Sequence, residues 1–252
     1  MLEMMIARQP SCADDMEPGV LSVDSARQVI LDNVKPLHAH EKSPLRGCLN
    51  RILAEDVISS LNVPGHTNSA MDGYAVSGNE LPNNGTQSFE IIGTSFAGKP
   101  YAGSCQPGQC VRIMTGAAMP EGTDTVVMQE HVKCHENTIT IDSGHRSGQN
   151  VRQAGEDITI GDRVLPAGKL LTPADLGVIS SLGIGELKIK RRPRVAFFST
   201  GDELRSIGDG SGKPLLTGEV YDSNRYSLYG MLQRLNVDVI DMGVVHDDEA
   251  SL

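Results

Sequence analysis

Four short polar clusters in this 252-residue chain hold the residue types that acid–base and anion chemistry use. In NSAMDGY (68–74) the Asp72 carboxylate precedes a glycine and a β-prone run. An Asp-Gly pair is ordinary turn composition, and it can also present a carboxylate, so the turn and the catalytic readings both stand. In RIMTG (112–116) a strand-like run ends in Thr115-Gly116, which either closes the strand or aims a hydroxyl and backbone N–H groups at an anion. The segment 147–157, SGQNVRQAGED, has no apolar period. It joins the amide of Asn150 and the guanidinium of Arg152 to the adjacent acids Glu156 and Asp157. A core could take such groups only if each found its own partner, and a binding segment and a solvated loop fit the composition equally. The fourth cluster, Ser199-Thr200-Gly201-Asp202-Glu203, follows an apolar run and has the strongest physical case. Ligands of open parallel sheets bind beyond the carboxyl ends of the strands. Gly201 would let backbone approach closely there, and Asp202 with Glu203 could hold a divalent cation. Asp247 and Asp248, ending the next apolar run, fall on the same sheet edge. His66, His131 and His246 lack metal-ligand spacing and read as surface residues.

The elements around these clusters follow from pattern and punctuation. Ser22 opens a segment with Val23, Ala26, Ile30 and Val34 on one helical face, ended by Pro36. Residues 61–142 hold the short β-rich runs GYAVSG, FEIIGTSF, CVRIMTGA, DTVVMQEHV and ENTITID, separated by Gly, Pro and Asn, and read as a small β domain. Thr172, Pro173 and Asp175 compose a helix start with Leu176, Ile179 and Leu182 on one face and Gly183 as the stop. RVAFFST, NRYSLYGMLQRL and VDVIDMGVV then predict strand, helix, strand, the unit of a parallel α/β sheet. Residues 1–20 lack periodicity and read as a loose arm.

Composition narrows the function classes. With 39% hydrophobic residues and 27 glycines the chain can bury a core. A net charge of -10 repels phosphate backbones and anionic membranes, so neither nucleic acid nor a membrane is an expected partner. No run approaches the roughly 18 to 20 apolar residues of a membrane helix, no secretory leader is legible at the amino terminus, and a cytoplasmic location is expected. The five cysteines form no CxxC pair and are expected to be reduced.

In order along the chain, NSAMDGYAV, SFAGKPY, RIMTGAAMPEGTDTVVMQE, SGQNVRQAGEDI, GDRVLPAGKLLTPADLGVISSLGI, VAFFSTGDEL and YDSNR closely resemble the molybdopterin molybdotransferases, the family of bacterial MoeA and the gephyrin E domain. The resemblance runs from about Ser22 onward. It implies a multidomain α+β fold: an elongated α/β first domain from 21–60 and 143–190 that serves dimerisation, an inserted β domain over 61–142, and the start of a molybdopterin-binding α/β domain at 191–252. It also implies an enzyme that inserts molybdate into adenylylated molybdopterin with Mg²⁺ and releases AMP. Carried over by motif, Asp72, Thr115, Asp157 and Glu203 become catalytic positions. Arg152, Ser199, Thr200, Gly201 and Asp247 become substrate-binding positions, and Asp202 with Glu203 the metal ligands. The implied assembly is a homodimer whose cleft joins the β domain of one protomer to the α/β domain of the other. A molybdopterin adenylyltransferase and molybdoenzyme maturation proteins are the expected partners.

Where the family continues into a third strand with a glycine- and serine-rich loop, this sequence stops at Leu252. The expectation is therefore an incomplete ligand-binding domain with apolar surface exposed over 237–245. A non-catalytic dimerisation or scaffold fragment is the alternative to the enzyme. A generic nucleotide-binding enzyme is the weaker third, since no GxGxxG or P-loop follows the VAFFS run.

Overall fold

The computed structural model describes residues 21–208 and 214–247. The arm expected at 1–20, and Asp248, lie outside the described residues.

The chain divides into two compact units, residues 1–39 and 40–252. In the first, helix α1 (Val23–Asn33) starts where its sequence signals place it. The Ser22 hydroxyl accepts from the Ser25 N–H at 3.1 Å, and the helix ends before Pro36, whose ring disfavours helical backbone in the preceding residue. None of its residues is buried, so the apolar face that the spacing marks out is exposed.

The second unit begins as a long ribbon that the chain traverses out and back. Strand β1 (His40–Pro44) pairs antiparallel with Glu186–Lys190, then Val57–Ile58 with Arg163–Leu165, then Asn68–Ser69 with Val151–Arg152. The three ladders are nested, so everything between residues 69 and 151 sits at the ribbon's tip. Helix α2 (Pro173–Ser181) covers the ribbon's base and buries Ile179 with Cys48, Leu53, Val57, Leu165, Leu171, Leu182, Leu187 and Ile189. Its amino end is a capping box: the Asp175 N–H donates to the Thr172 hydroxyl, and the Asp175 carboxylate accepts from the Thr172 N–H at 2.9 Å. Gly183, at φ +71°, follows its end in the left-handed conformation that glycine adopts without strain.

At the tip lies a six-stranded sheet. Its order is Thr125–Met128, Gly73–Val76, Gln109–Ile113, Thr86–Ser95, Thr138–Asp142, Val132–His135. All pairs are antiparallel except Thr86–Ser95 with Gln109–Ile113. The interior strand Gly73–Val76, beside the edge strand Thr125–Met128, is buried on both faces. Tyr74 and Val76 pack with Phe89, Cys110, Val127, Ile139 and Ile141, while Ala75 packs with Ile113, Ala117 and Val126, the two-residue alternation of a pleated strand.

The carboxyl-terminal part has the predicted strand–helix–strand order. Arg194–Thr200 pairs parallel with Asp238–Val245, and helix α3 (Ser223–Arg234) connects them. A bulge falls where Phe197 faces Asp241 but Ser199 faces Val244, and Gly243 at φ +88° sits in it. A second, two-residue parallel pair, Leu204–Arg205 with Val220–Tyr221, flanks the crossover. Within 40–60 and 143–190 the described chain is strand-rich, with two antiparallel ladders between its two segments and the α-helix α2. Among the described residues no helix is long and apolar enough to cross a membrane.

Candidate functional site

Asp72 and Thr115 are 43 residues apart, and the sheet brings them together. Gly73 opposes Ile113 in antiparallel register, so the residue just before one strand meets the residues just after the other. The Asp72 Oδ1 accepts from the Thr115 N–H at 2.7 Å and from its hydroxyl at 2.9 Å. Glycine is required at 73, since a Cβ there would lie 2.1 Å from the Val127 carbonyl oxygen. The Thr115 N–H above all, then its hydroxyl, hold the Asp72 carboxyl below the usual carboxylate range against the opposing effect of burial, with the nearby Arg112 charge adding least. Asp72 is thus exposed and ionised, a poor proton donor and a weak base, suited to fixed charge and orientation.

Arg152 sits opposite Asn68. Its Nη2 donates to Asp157 Oδ1 at 2.5 Å and its Nε to Glu156 Oε1 at 3.3 Å. Asp157 is placed by its own N–H, which donates to the Val63 carbonyl at 2.9 Å. Asp157 first, then Glu156, raises the Arg152 pKa. The guanidinium expected to meet anions therefore faces two carboxylates, and an incoming anion must displace at least one of them. The Thr115 loop lies alongside, because Gly116 N–H donates to the Ser69 carbonyl at 2.8 Å while Val151 pairs Ser69 from the other side. Asn68–Ser69 is the shared strand between the Asp72–Thr115 pair and the Arg152–Asp157 pair.

Ser199, Thr200 and Glu203 line a second locus, a 440 Å³ cavity at the carboxyl end of Arg194–Thr200 and the amino end of α3. Gly201, at φ +149°, leaves room for the Glu203 carboxylate, whose oxygens would lie 2.7 and 2.9 Å from a Cβ at that position. Asp202 and Asp247 are outside the cavity lining; Asp202 Oδ1 instead meets His246 Nδ1 at 3.0 Å, and both side chains are exposed, His246 remaining the surface residue expected of it. The sequence reading missed Asp222 as a site residue. It is only 2% exposed, caps α3 by accepting from the Arg225 N–H at 3.1 Å, lines the cavity, and has a second buried oxygen with no partner. Its one local signal, Asp before a helix start, is an ordinary cap signature that says nothing of a cavity. Asn224 of the same YDSNR motif also lines it.

Among the described residues no group of three or more His, Cys, Asp or Glu side chains is gathered closely enough to hold a metal ion. Asp202 and Glu203 do not make a cation site by themselves, since the Asp202 carboxylate turns to His246 while that of Glu203 lies across Gly201.

A strand-rich α/β protein with a nested two-pass ribbon and an inserted sheet defines the class, and solved structures share that fold. Two structures of a molybdopterin biosynthesis moeA protein from Pyrococcus horikoshii superpose with TM-scores of 0.82 and 0.77 at 30% identity. They cover 88% and 92% of this chain and 59% of each of theirs. Residues 21–183 match the family described as MoeA N-terminal region (domain I and II), and the chain belongs to that family. It is 45% identical over 232 residues to a molybdopterin molybdenumtransferase of Haemophilus influenzae, covering 92% of this chain and 56% of that protein. It is 34% identical over 259 residues to one of Nostoc, covering 100% and 58%. The chain spans a little over half the length of the curated relatives it matches.

Proposed function

We propose that this chain contributes the Asp72–Thr115 and Glu203 sides of a molybdopterin molybdotransferase site, in which molybdate is inserted into adenylylated molybdopterin and AMP is released. The observation that carries this reading is the Asp72 carboxylate, held ionised at the end of a rigid sheet by the Thr115 N–H and hydroxyl. The similarity to proteins named molybdopterin molybdenumtransferase supports the substrate class. Ser199 and Thr200, at the carboxyl end of their strand, and Asn224, at the amino end of α3, offer hydroxyl, amide and backbone donors to the oxygens of a pyrophosphate. Glu203 and the unpartnered oxygen of Asp222 add negative charge to the same cavity. These carboxylates would meet Mg²⁺ only together with substrate phosphates, the way that ion is commonly bound.

In this reading the chain assembles as a homodimer in which the first locus of one protomer faces the second of its partner. A cytoplasmic setting, with an adenylyltransferase upstream and maturation proteins downstream, follows from the same reading.

The test mixes the purified chain with adenylylated molybdopterin, molybdate and Mg²⁺ and follows AMP. Molybdate-dependent release that Asp72→Asn lowers by about 100-fold is expected, the scale of losing one positioned electrostatic group. Release unchanged by the substitution overturns the role of Asp72, and no release favours the scaffold fragment over the enzyme.

A further inference from the structure

We infer that, within the transferase reading proposed above and resting on it, Arg225 is a positioning residue of the Glu203 locus. Its guanidinium fastens the loop that follows Glu203 to the strand that ends beside Asp247, and so sets how these two edges face a substrate. Arg225 stands in the first turn of α3 and reaches three segments at once. Its N–H donates to Asp222 Oδ1 at 3.1 Å, its Nε to Asp241 Oδ1 at 2.7 Å and its Nη1 to the Ser206 hydroxyl at 2.9 Å. The side chain is only 17% exposed, so these bonds are made largely out of water.

The Asp241 contact falls at the register shift of the parallel pair. Between Phe197 and Ser199 the first strand takes two steps while its partner takes three, from Asp241 to Val244. Gly243, at φ +88°, accommodates the extra residue, and its N–H donates at 3.0 Å to the same Asp241 oxygen that Arg225 holds. Without that residue everything after Asp241 would move by one position against Ser199 and Thr200. Because strand side chains alternate, residues 244–247 would then exchange faces, Asp247 among them. The Arg225 hydrogen bond first, against the opposing effect of burial, then the Gly243 N–H and the Arg225 charge hold the Asp241 carboxyl below the usual carboxylate range. The grip on the bulge is therefore ionic at neutral pH.

The Ser206 contact works on the other edge. Ser206 follows Leu204–Arg205, the short strand that leaves Glu203, and the Glu203 carbonyl accepts from the Val220 N–H at 2.9 Å. The 440 Å³ cavity lined by Ser199, Glu203, Asp222 and Asn224 thus has walls on two of the three segments that Arg225 joins. Arginine suits this place, since its planar fork donates along two directions from one rigid group whereas lysine offers a single nitrogen. A misplacement of about 1 Å can cost about 100-fold in rate, so a side chain that meets no substrate can still govern the reaction.

The test has two arms. In the first, amide hydrogen exchange of the ligand-free 252-residue chain is compared for wild type, Arg225→Gln and Asp241→Asn. Arg225→Gln is expected to speed exchange in 199–206 and 241–247 together, by at least about tenfold at Gly243, and to leave 109–116 unchanged. Asp241→Asn, which keeps the shape and the acceptor for Gly243, is expected to do the same more weakly. In the second arm, Arg225→Gln is expected to lower kcat for molybdate-dependent AMP release by about 100-fold while KM moves far less. Arg225→Lys should recover part of the rate, and Arg225→Gln added to Glu203→Gln should cost little more, since both act through the same group. Circular dichroism and the urea midpoint keep a folding defect separate from misplacement. The inference is overturned by exchange that rises in one segment only or in neither, by full activity of a folded Arg225→Gln, or by a loss undiminished in the Glu203→Gln background. A wild-type chain that releases no AMP overturns the transferase reading instead, and the exchange arm then decides whether Arg225 couples the two edges.

Discussion

Asp72 acquires a fixed charge without being buried, because the end of one strand delivers an N–H and a hydroxyl to one of its oxygens. Thr115→Val removes the hydroxyl and keeps the N–H. The Asp72 pKa should then rise toward, but stay below, its ordinary value, as a carboxyl-carbon NMR titration would show; an unchanged titration would mean that the hydroxyl contributes nothing. The sign follows from linkage: with the folded pKa depressed, whatever stability the pair adds is present above about pH 4 and is lost as pH falls through the folded value. Asp222 makes the opposite point. One of its oxygens caps α3 and the other is buried with nothing to accept from. Asp222→Asn keeps the capping oxygen and removes the charge, so stability in urea is expected to be equal or higher, by up to about 1 kcal/mol. A loss of more than that would show that the carboxylate is paired in solution. An uncompensated polar group beside a cavity is where function and stability diverge.

Helix α2 combines an amino-terminal cap with an ion pair, since Lys169 Nζ meets Asp175 Oδ1 at 2.7 Å and Asp175 is only 5% exposed. Burial, the largest single influence, pushes the Asp175 pKa up, but Lys169 and the Thr172 N–H and hydroxyl together outweigh it and the net direction is down. Asp175→Ala should cost about 2 kcal/mol in chemical unfolding at pH 7, the upper end for a lost cap. Its deficit should shrink as pH falls below about 4, because the wild-type group itself protonates there. A deficit independent of pH would contradict the ionic part of this account. In the strand Gly73–Val76, Gly73→Ala drives a Cβ to 2.1 Å from a carbonyl oxygen and should destabilise by about 3 kcal/mol, with the Asp72–Thr115 pair displaced as well. Caps, turn glycines and β-rich runs were legible in the sequence because they act within a few residues. The polar segment 147–157 was not, since its only strand, Val151–Arg152, is two residues long and forms because Asn68–Ser69 is there to pair with it.

The whole molecule is organised by the ribbon, whose first ladder joins residues 40–44 to 186–190 and so holds the inserted sheet at one end and the parallel unit at the other. In the parallel unit Met231, Leu235, Ile240 and Met242 are exposed, an apolar surface on both α3 and its neighbouring strand. The chain is expected to bind a hydrophobic dye, with Ile240→Thr and Met242→Ser together lowering the signal, as fluorescence titration would read. A signal that they leave unchanged would locate the apolar surface elsewhere, α1 included. Taken by itself, the sequence determined the three helices, the β-rich runs of the inserted sheet, the final strand–helix–strand order, the acidic balance and the motifs of the family, since composition and short-range pattern carry these; the paired strands of the ribbon it did not mark. Only the tertiary structure decided which polar groups meet: Asp72 with Thr115 across 43 residues, Arg152 enclosed by two acids, Asp202 turned to His246, and Asp222 buried beside a cavity. The physical reason is range. Backbone propensity acts over one or two turns of chain, whereas a pKa, an ion pair or a cavity depends on which distant strand the register places opposite.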